Sequence, residues 1–342
     1  MHILRHYFIS LLLLSILPIE ARASSATVLY DERFLLHDAG AGHPEKPDRL
    51  GYIVQHLRQH KTLSAHLRWP SFSAATRENL RAVHQDTYLD LLDAEQQQLT
   101  TTRPYLTLST GDTVISKKSI EVAKLASGAA MAGIDAVMQH NTKSAFALAR
   151  PPGHHATADR GMGFCIYNHV AVAARYAQKK YGVQRVLIMD IDVHHGNGTQ
   201  DIFDQDDSVF YFSAHQHPLY PGSGRPAEKG HGKGAGYTMN VDVPFGSDEA
   251  IILKALASQL EPAMQRFRPE LILVSAGLDA HQNDLLGGLR YTDAGYASIA
   301  QQVVKLANLY AQGRTVWVLE GGYVPENNSN AVEAILEVLI GQ

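Results

Sequence analysis

The feature that most constrains this chain is its alternation of continuous apolar runs with helical patterns. Seven runs read as strands: Ala26–Tyr30, Ser144–Ala149, Val186–Ile191, Val209–Ser213, Thr238–Val243, Leu271–Ser275 and Thr315–Leu319. Most are apolar throughout instead of alternating, the pattern of strands covered on both faces. Between them the spacing predicts helices over Lys118–Gln139, Asn168–Lys180, Asp248–Phe267 and Asp293–Gln312. Ser247 and Thr292 are the expected N-caps, Gly182 and Gly313 the expected stops. This order predicts an α/β fold, a parallel sheet flanked by helices on both faces. Sites in such sheets form beyond the carboxyl ends of the strands.

No Pro/Gly/Ser-rich linker, charge block or repeat divides the 342 residues, so a single domain is expected over residues 24–342. Residues 1–23 read differently. Arg5 precedes a short apolar run from Phe8 to Ile19, and Ala21-Arg-Ala23 offers a small-x-small cleavage site, the layout of a secretory signal peptide. An uncleaved anchor would need about 20 apolar residues, and Pro18 falls inside a shorter run. The expectation is export, to the periplasm or out of the cell, with no membrane span once the leader is removed. The mature chain would hold 28 basic and 33 acidic residues, a net charge of −5 with His neutral, and it has no basic run. Nothing in that balance points to nucleic-acid binding. Cys165 is alone, cannot form an internal disulfide, and reads as a small buried apolar residue. The oligomeric state is left open.

Polar residues gather at four of the expected strand ends. Ser144–Ala149 runs into Arg150-Pro-Pro-Gly-His-His155, and Val186–Ile191 into Asp192-Val-His-His-Gly-Asn197. Leu271–Ser275 runs into Ala276-Gly-Leu-Asp279, and Thr315–Leu319 into Glu320-Gly-Gly-Tyr323. Side chains two apart in an extended strand share a face, so Asp192 and His194 project together. A carboxylate and an imidazole converging there are two of the three protein ligands of a catalytic zinc site. The tandem His, Asp279 and Tyr323 would share that crevice.

In this order, the motifs resemble those of the histone deacetylase and acetylpolyamine amidohydrolase family, whose fold is a single arginase-like α/β domain. His43-Pro-Glu-Lys-Pro-Asp-Arg-Leu50 looks like the family's first active-site loop. Gly163-Phe-Cys-Ile-Tyr-Asn168, Pro221-Gly-Ser-Gly224 and Leu319-Glu-Gly-Gly-Tyr323 complete the set. Arginase itself is a poorer match, because its paired metal ions need more Asp and His ligands than this chain offers. The resemblance implies zinc held by Asp192, His194 and Asp279, with Fe²⁺ or another divalent ion left open by the oxygen-rich set. It implies that His154 and His155 handle protons, His155 as the base, with Asp190 facing His154 and Asn197 facing His155. Asn197 resembles the class II and bacterial branches, and a neutral partner predicts a less basic His155. Tyr323 is implied as the donor to the oxyanion, with Gly321 and Gly322 lending its loop freedom.

Further positions follow from the same resemblance. Gly163, Phe164 and Tyr220 match the walls of the family's acyl-lysine tunnel, and Arg49 an arginine near its product-exit channel. Asp190, Asp192, His194, Ser213 and Ala214 match one structural K⁺ or Na⁺ site, and Phe203, Asp206, Val209 and Tyr237 a second. The other histidines, such as His215, His217, His231 and His281, read as ordinary polar residues, with His215 and His281 close enough to the site in sequence to be rim residues. The implied activity is zinc-dependent removal of a short acyl group, acetyl, from acyl-lysine in peptides or proteins. N-acetylpolyamines or other acylated small amines are the alternative substrates, and an inactive acyl-ligand-binding protein is a remoter reading. The polyamine-selective branch places a glutamate in the loop after the third metal ligand, where this chain has Leu286. Bacterial polyamine enzymes carry a long dimerising insertion before the tandem His, and Gln96–Thr110 is too short to resemble it.

Overall fold

The computed structural model describes residues 25–341. The expected leader, residues 1–23, lies outside them. Ten strands appear in chain order: β1 (Ala26–Leu29), β2 (Leu67–Arg68), β3 (Tyr105–Thr107), β4 (Val114–Ser116), β5 (Ser144–Ala147), β6 (Val186–Asp190), β7 (Val209–Gln216), β8 (Thr238–Val243), β9 (Leu271–Ala276) and β10 (Thr315–Leu319). Eight of them form one sheet in the order β2-β1-β5-β10-β9-β6-β7-β8, and β3 pairs antiparallel with β4 in a separate hairpin. Every pairing in the large sheet is parallel.

The α-helices are α1 (Asp48–Gln59), α2 (Arg77–Arg81), α3 (Asp86–Gln97), α4 (Ser119–Met138), α5 (His169–Tyr181), α6 (Asn197–Phe203), α7 (Ala250–Ala255), α8 (Glu261–Phe267), α9 (Asp293–Tyr310) and α10 (Pro325–Ile340). One group, α4 with α5, packs on the sheet, and a second joins α1, α10 and α9. All five residues of β6 are buried, as are all of β5, β9 and β10, so both faces of the central strands are covered. That is why these strands read as unbroken apolar runs. Each large apolar side chain so buried contributes roughly 1.5–3 kcal/mol. No described helix is long and apolar enough to cross a membrane.

Local chemistry explains most boundaries. Thr292 caps α9 by accepting the Gly295 N–H at 3.0 Å, and Gly182 ends α5 in the left-handed region at φ +69°. Ser247 does not cap the next helix. The Asp248 carboxylate takes the Ala250 N–H at 3.0 Å, and α7 begins there. The single helix expected over Asp248–Phe267 is broken by a π-turn, Leu256–Leu260, just ahead of Pro262. Proline lacks the N–H that would continue the α-ladder, and the wider turn absorbs the gap. The pair β3–β4 and the two-residue β2 are too short to show a period, and the sequence reading omitted them.

Candidate active site

Five adjacent strands, β5, β10, β9, β6 and β7, deliver the site from their carboxyl ends. Their register aligns Asp190 with Ser275 on one side and Ser213 on the other, and Ala276 with Leu319. Beyond that line β6 yields Asp192 and His194, and β9 yields Asp279. His194 Nδ1 lies 3.0 Å from Asp192 Oδ1 and 3.2 Å from Asp279 Oδ2. Ligand atoms from these three residues all fall within 4.8 Å of one another. Asp279 Oδ1 accepts the Val193 N–H at 3.0 Å and Asp192 Oδ2 the Gly321 N–H at 2.9 Å. Asp279 Oδ2 is buried and accepts no hydrogen bond among the described residues. Burial and the neighbouring Asp192 charge push the Asp279 carboxyl up to about 7. Two buried carboxylates, one with an orphaned oxygen, and an imidazole converging on one point fit a divalent cation.

The tandem histidines stand beside this cluster with unequal partners. His154 Nδ1–H donates to Asp190 Oδ2 at 3.0 Å, and His154 Nε2 lies 3.8 Å from Asp192 Oδ2. Burial opposes its charged form, but the carboxylates of Asp190 and Asp192 prevail and hold His154 well above the usual imidazole range. His155 Nδ1–H donates to the neutral Asn197 Oδ1 at 2.8 Å. Burial and the charge of His154 hold His155 well below that range. The backbone beneath them is fixed by Glu320, whose Oε2 accepts the Gly153 and His154 N–H groups at 2.6 and 3.2 Å.

A cavity of ≈ 270 Å³ descends to these groups, walled by Gly163, Phe164, Leu219, Tyr220, Leu286 and Tyr323. The Phe164 ring stands edge-on to Tyr323 at 6.0 Å, and Tyr220 edge-on to His155 at 5.1 Å. Gly163 has φ +56°, and a Cβ there would lie 2.2 Å from the His155 ring. Phe164 itself adopts φ +67°, a left-handed conformation costly for an aromatic residue, which the surrounding packing holds. Burial keeps the Tyr323 phenol well above its ordinary pKa, so its hydroxyl is a donor.

Residues 43–339 match the histone deacetylase domain model. The chain belongs to the histone deacetylase family. It is 36% identical to "Histone deacetylase 14, chloroplastic" of Arabidopsis thaliana, over 96% of this chain and 80% of that protein. It is also 36% identical to the "Histone deacetylase-like amidohydrolase" of Pseudomonas aeruginosa, over 89% of this chain and 78% of that one. The crystal structure of the HDA15 HD domain superimposes with a TM-score of 0.85 at 37% identity, covering 94% of this chain and 89% of that one. The arginase-like single-domain fold expected from the motifs is therefore the fold observed. The chain is a hydrolase of the deacetylase and amidohydrolase type, which acts on acetylated substrates.

Against that family background, the structure sorts the expected residues. Asp192, His194, Asp279, His154, His155 and Tyr323 come together as anticipated, with Asp190 and Asn197 behind the two histidines. Gly163, Phe164, Tyr220 and Leu286 line the cavity. Arg49 does not. It is fully buried under the Tyr323 loop, donating to the carbonyls of Gly322 and Glu320 and lying 4.8 Å from the Tyr323 ring centre. His215 is not a rim residue, being pinned between Ser213 Oγ at 2.8 Å and the Gly224 carbonyl at 3.0 Å. His281 is likewise buried and bonded to the Gln282 carbonyl and Asp293. Cys165 is buried as expected.

Of the residues matched to alkali-metal sites, Ser213 and Ala214 lie in β7 directly beside Asp190 and β8. Asp206 is already paired with Arg175 at 2.6 Å, whose guanidinium also lies over the Phe203 ring. Val209 opens β7, paired with Val186, and the Tyr237 carbonyl accepts the Tyr211 N–H at 2.8 Å.

Gly322, at φ +115°, uses the conformational freedom expected of it, and both glycines before Tyr323 also leave room that a side chain would fill. A Cβ on Gly321 would lie 2.0 Å from Asp279 Oδ2, and one on Gly322 2.4 Å from Asn328 Oδ1. The loop is clamped, and glycine permits the close approach. Sequence reading also missed Asp112, which lines the cavity and accepts the Gly163 N–H at 2.7 Å. It lies in an irregular loop with no periodic signal.

Proposed function

We propose that this chain is a zinc-dependent amidohydrolase that removes acetyl or a similarly short acyl group from acyl-lysine in peptides or proteins. The observation that carries the reading is the convergence of Asp192, His194 and Asp279 at the floor of a narrow, mostly apolar cavity flanked by His155 and Tyr323. Asp192, His194 and Asp279 would hold the ion, which when bound supplies Lewis acidity towards an amide carbonyl and water. The apolar walls suit a methylene chain ending in an amide. His155 is the base: Asn197 occupies its Nδ1–H, so the lone pair of Nε2 is free to take the proton of the attacking water. His154, held charged by Asp190, and His155 then return a proton to the departing amine nitrogen, completing cleavage to a carboxylic acid and an amine. The Tyr323 hydroxyl donates to the carbonyl oxygen as negative charge builds on it.

N-acetylpolyamines are the second reading, since Asp112 places one carboxylate on the cavity wall. The apolar Leu286 and the absence of any other acidic side chain among the lining residues favour acyl-lysine. We also infer that the protein is exported, as its first 23 residues suggest, and meets its substrate outside the cytoplasm. The test is hydrolysis of an acetyl-lysine peptide and of N-acetylputrescine by protein starting at residue 24, with and without zinc, beside His155→Ala. Metal-dependent turnover that disappears in the variant and is faster on the peptide is expected. No turnover of either substrate by zinc-loaded protein would sink the short-chain deacylase reading, and faster N-acetylputrescine hydrolysis would replace lysine by the polyamine.

A further inference from the structure

The segment Glu320–Tyr323 carries the phenol, and its backbone is held almost group by group. Gly321 N donates to Asp192, and the Gly321 carbonyl accepts the Leu278 N–H at 3.1 Å. The Gly322 carbonyl takes Arg49 Nε and, at 2.8 Å, Asn328 Nδ2. The last group, the N–H of Tyr323 itself, donates to Asp284 Oδ2 at 2.7 Å. The other oxygen of the same carboxylate, Asp284 Oδ1, accepts the Leu286 N–H at 3.0 Å. Tyr323 and Leu286 line one cavity. A single carboxylate, on the loop that leaves β9, therefore spans the wall that holds the hydroxyl donor and the wall formed by Leu286.

The chemistry of that contact requires a carboxylate. Two N–H donors arrive on two acceptor oxygens, and the loop turns into place through Asn283 at φ +66°. An amide of the same shape has one acceptor oxygen and would set its NH₂ against the remaining N–H. Because the phenol hydroxyl stands at the far end of a rigid ring, a small swing of the Tyr323 backbone becomes a larger displacement at the oxygen.

We propose that Asp284 is a positioning residue for hydrolysis: it sets the Tyr323 hydroxyl and couples that setting to the Leu286 wall. The proposal rests on the reading of Tyr323 as the donor to the developing oxyanion. It touches no reacting atom and acts through Tyr323. A misplacement of about 1 Å at a reacting group costs up to roughly 100-fold in rate. Asp284→Asn is therefore expected to lower kcat roughly 10- to 100-fold with little change in KM.

The deciding measurement is a double-mutant cycle with Tyr323→Phe on the zinc-loaded full enzyme, using the acetyl-lysine peptide. In the Tyr323→Phe background, Asp284→Asn should change kcat by less than about 3-fold, because the group it positions is gone. Equal losses in both backgrounds would overturn the proposal and leave Asp284 a general structural residue. Amide hydrogen exchange gives a readout independent of turnover. The Tyr323 and Leu286 amides should both exchange faster in Asp284→Asn, while those of β10 stay protected. Faster exchange along β10 as well, or unchanged exchange at Tyr323, would also overturn it. Wild-type enzyme inert towards the peptide would instead count against the substrate reading, and the exchange comparison would still decide the role of Asp284.

Discussion

The Nδ1–H of His155 is held at 2.8 Å by the side-chain oxygen of Asn197, a neutral partner, although the adjacent His154 faces the Asp190 carboxylate. Two neighbouring imidazoles are thereby pushed in opposite directions, His155 below and His154 above the ordinary range. Replacing Asn197 by Asp sets a carboxylate against the His155 Nδ1–H and raises the pKa of the imidazole. The base then needs a higher pH to be neutral, so the acid limb of the kcat/KM profile should move up by roughly 1–2 pH units. An unmoved limb would show that another group is titrating.

Tyr323 offers a cleaner loss. Tyr323→Phe removes the hydroxyl and leaves the ring between Phe164 and Arg49. Loss of one oxyanion donor costs roughly 10²- to 10³-fold in kcat. Steady-state kinetics should show that fall with KM changed by less than about 3-fold. A variant that raises KM alone would demote the tyrosine to a ground-state contact.

The Asp192–His194–Asp279 cluster predicts a linked change in activity and stability. Chelation leaves two buried carboxylates uncompensated, so the melting temperature should fall together with turnover, and added zinc should restore both. In Asp279→Ala the melting temperature should no longer respond to zinc. A response of wild-type size in that variant would place the ion elsewhere.

Acid stability follows from two histidines remote from the ligands. His84 donates from Nδ1 to the Thr157 carbonyl at 2.9 Å and accepts the Asn168 N–H on Nε2 at 3.0 Å. His169 donates from Nε2 to the Pro151 carbonyl at 3.0 Å and accepts the Ser127 hydroxyl on Nδ1 at 2.8 Å. Each ring is neutral in the fold, and burial pushes each down to about 4. Unfolding frees them to titrate near the usual value of about 6.5. Their contribution is complete above that value and drains away as pH falls from there towards 4, by about 2 kcal/mol each at pH 5. Urea midpoints should drop steadily between pH 7 and pH 4.5, and more shallowly in His84→Gln. A flat profile across that window would contradict neutral burial.

Leu286 sets a selectivity test. A glutamate there would put a second carboxylate on the cavity wall beside Asp112, within reach of a distal ammonium. Competition assays on Leu286→Glu should shift the ratio of N-acetylputrescine to acetyl-lysine turnover upward by roughly 5-fold, the worth of one exposed ion pair. A ratio unchanged by the substitution would mean that this wall does not read the far end of the substrate.

Most of the strand layout and the reactive residues were legible before any fold was known. The burial of β5, β6, β9 and β10 on both faces appears in the chain as unbroken apolar runs, and the Asp192-x-His194 pair shows at the end of one such run, although β6 stops at Asp190 and the pair stands in the bend just past it. These are local properties, expressed within a few residues. The hairpin β3–β4, the capping of α7 by Asp248 and the π-turn before Pro262 were not legible, because each is short or depends on a competing local bond. His215 and His281 show the same limit: nearness to the motifs in sequence did not put them on the rim.

What the sequence alone determined, then, is the set of groups and the end of the sheet they occupy. Tertiary structure decided their neighbours. In the chain the site-bearing strands come as β5, β6, β7, β9, β10; across the sheet they stand as β5-β10-β9-β6-β7, which sets the strand leading to Tyr323 between the one leading to the tandem histidines and the one leading to Asp279. It also brought Asp284 under Tyr323, Asn328 against Gly322, and Asp112 onto the cavity wall. Lateral strand order and loop packing are settled by which surfaces bury one another over long separations, and no window of sequence holds that comparison.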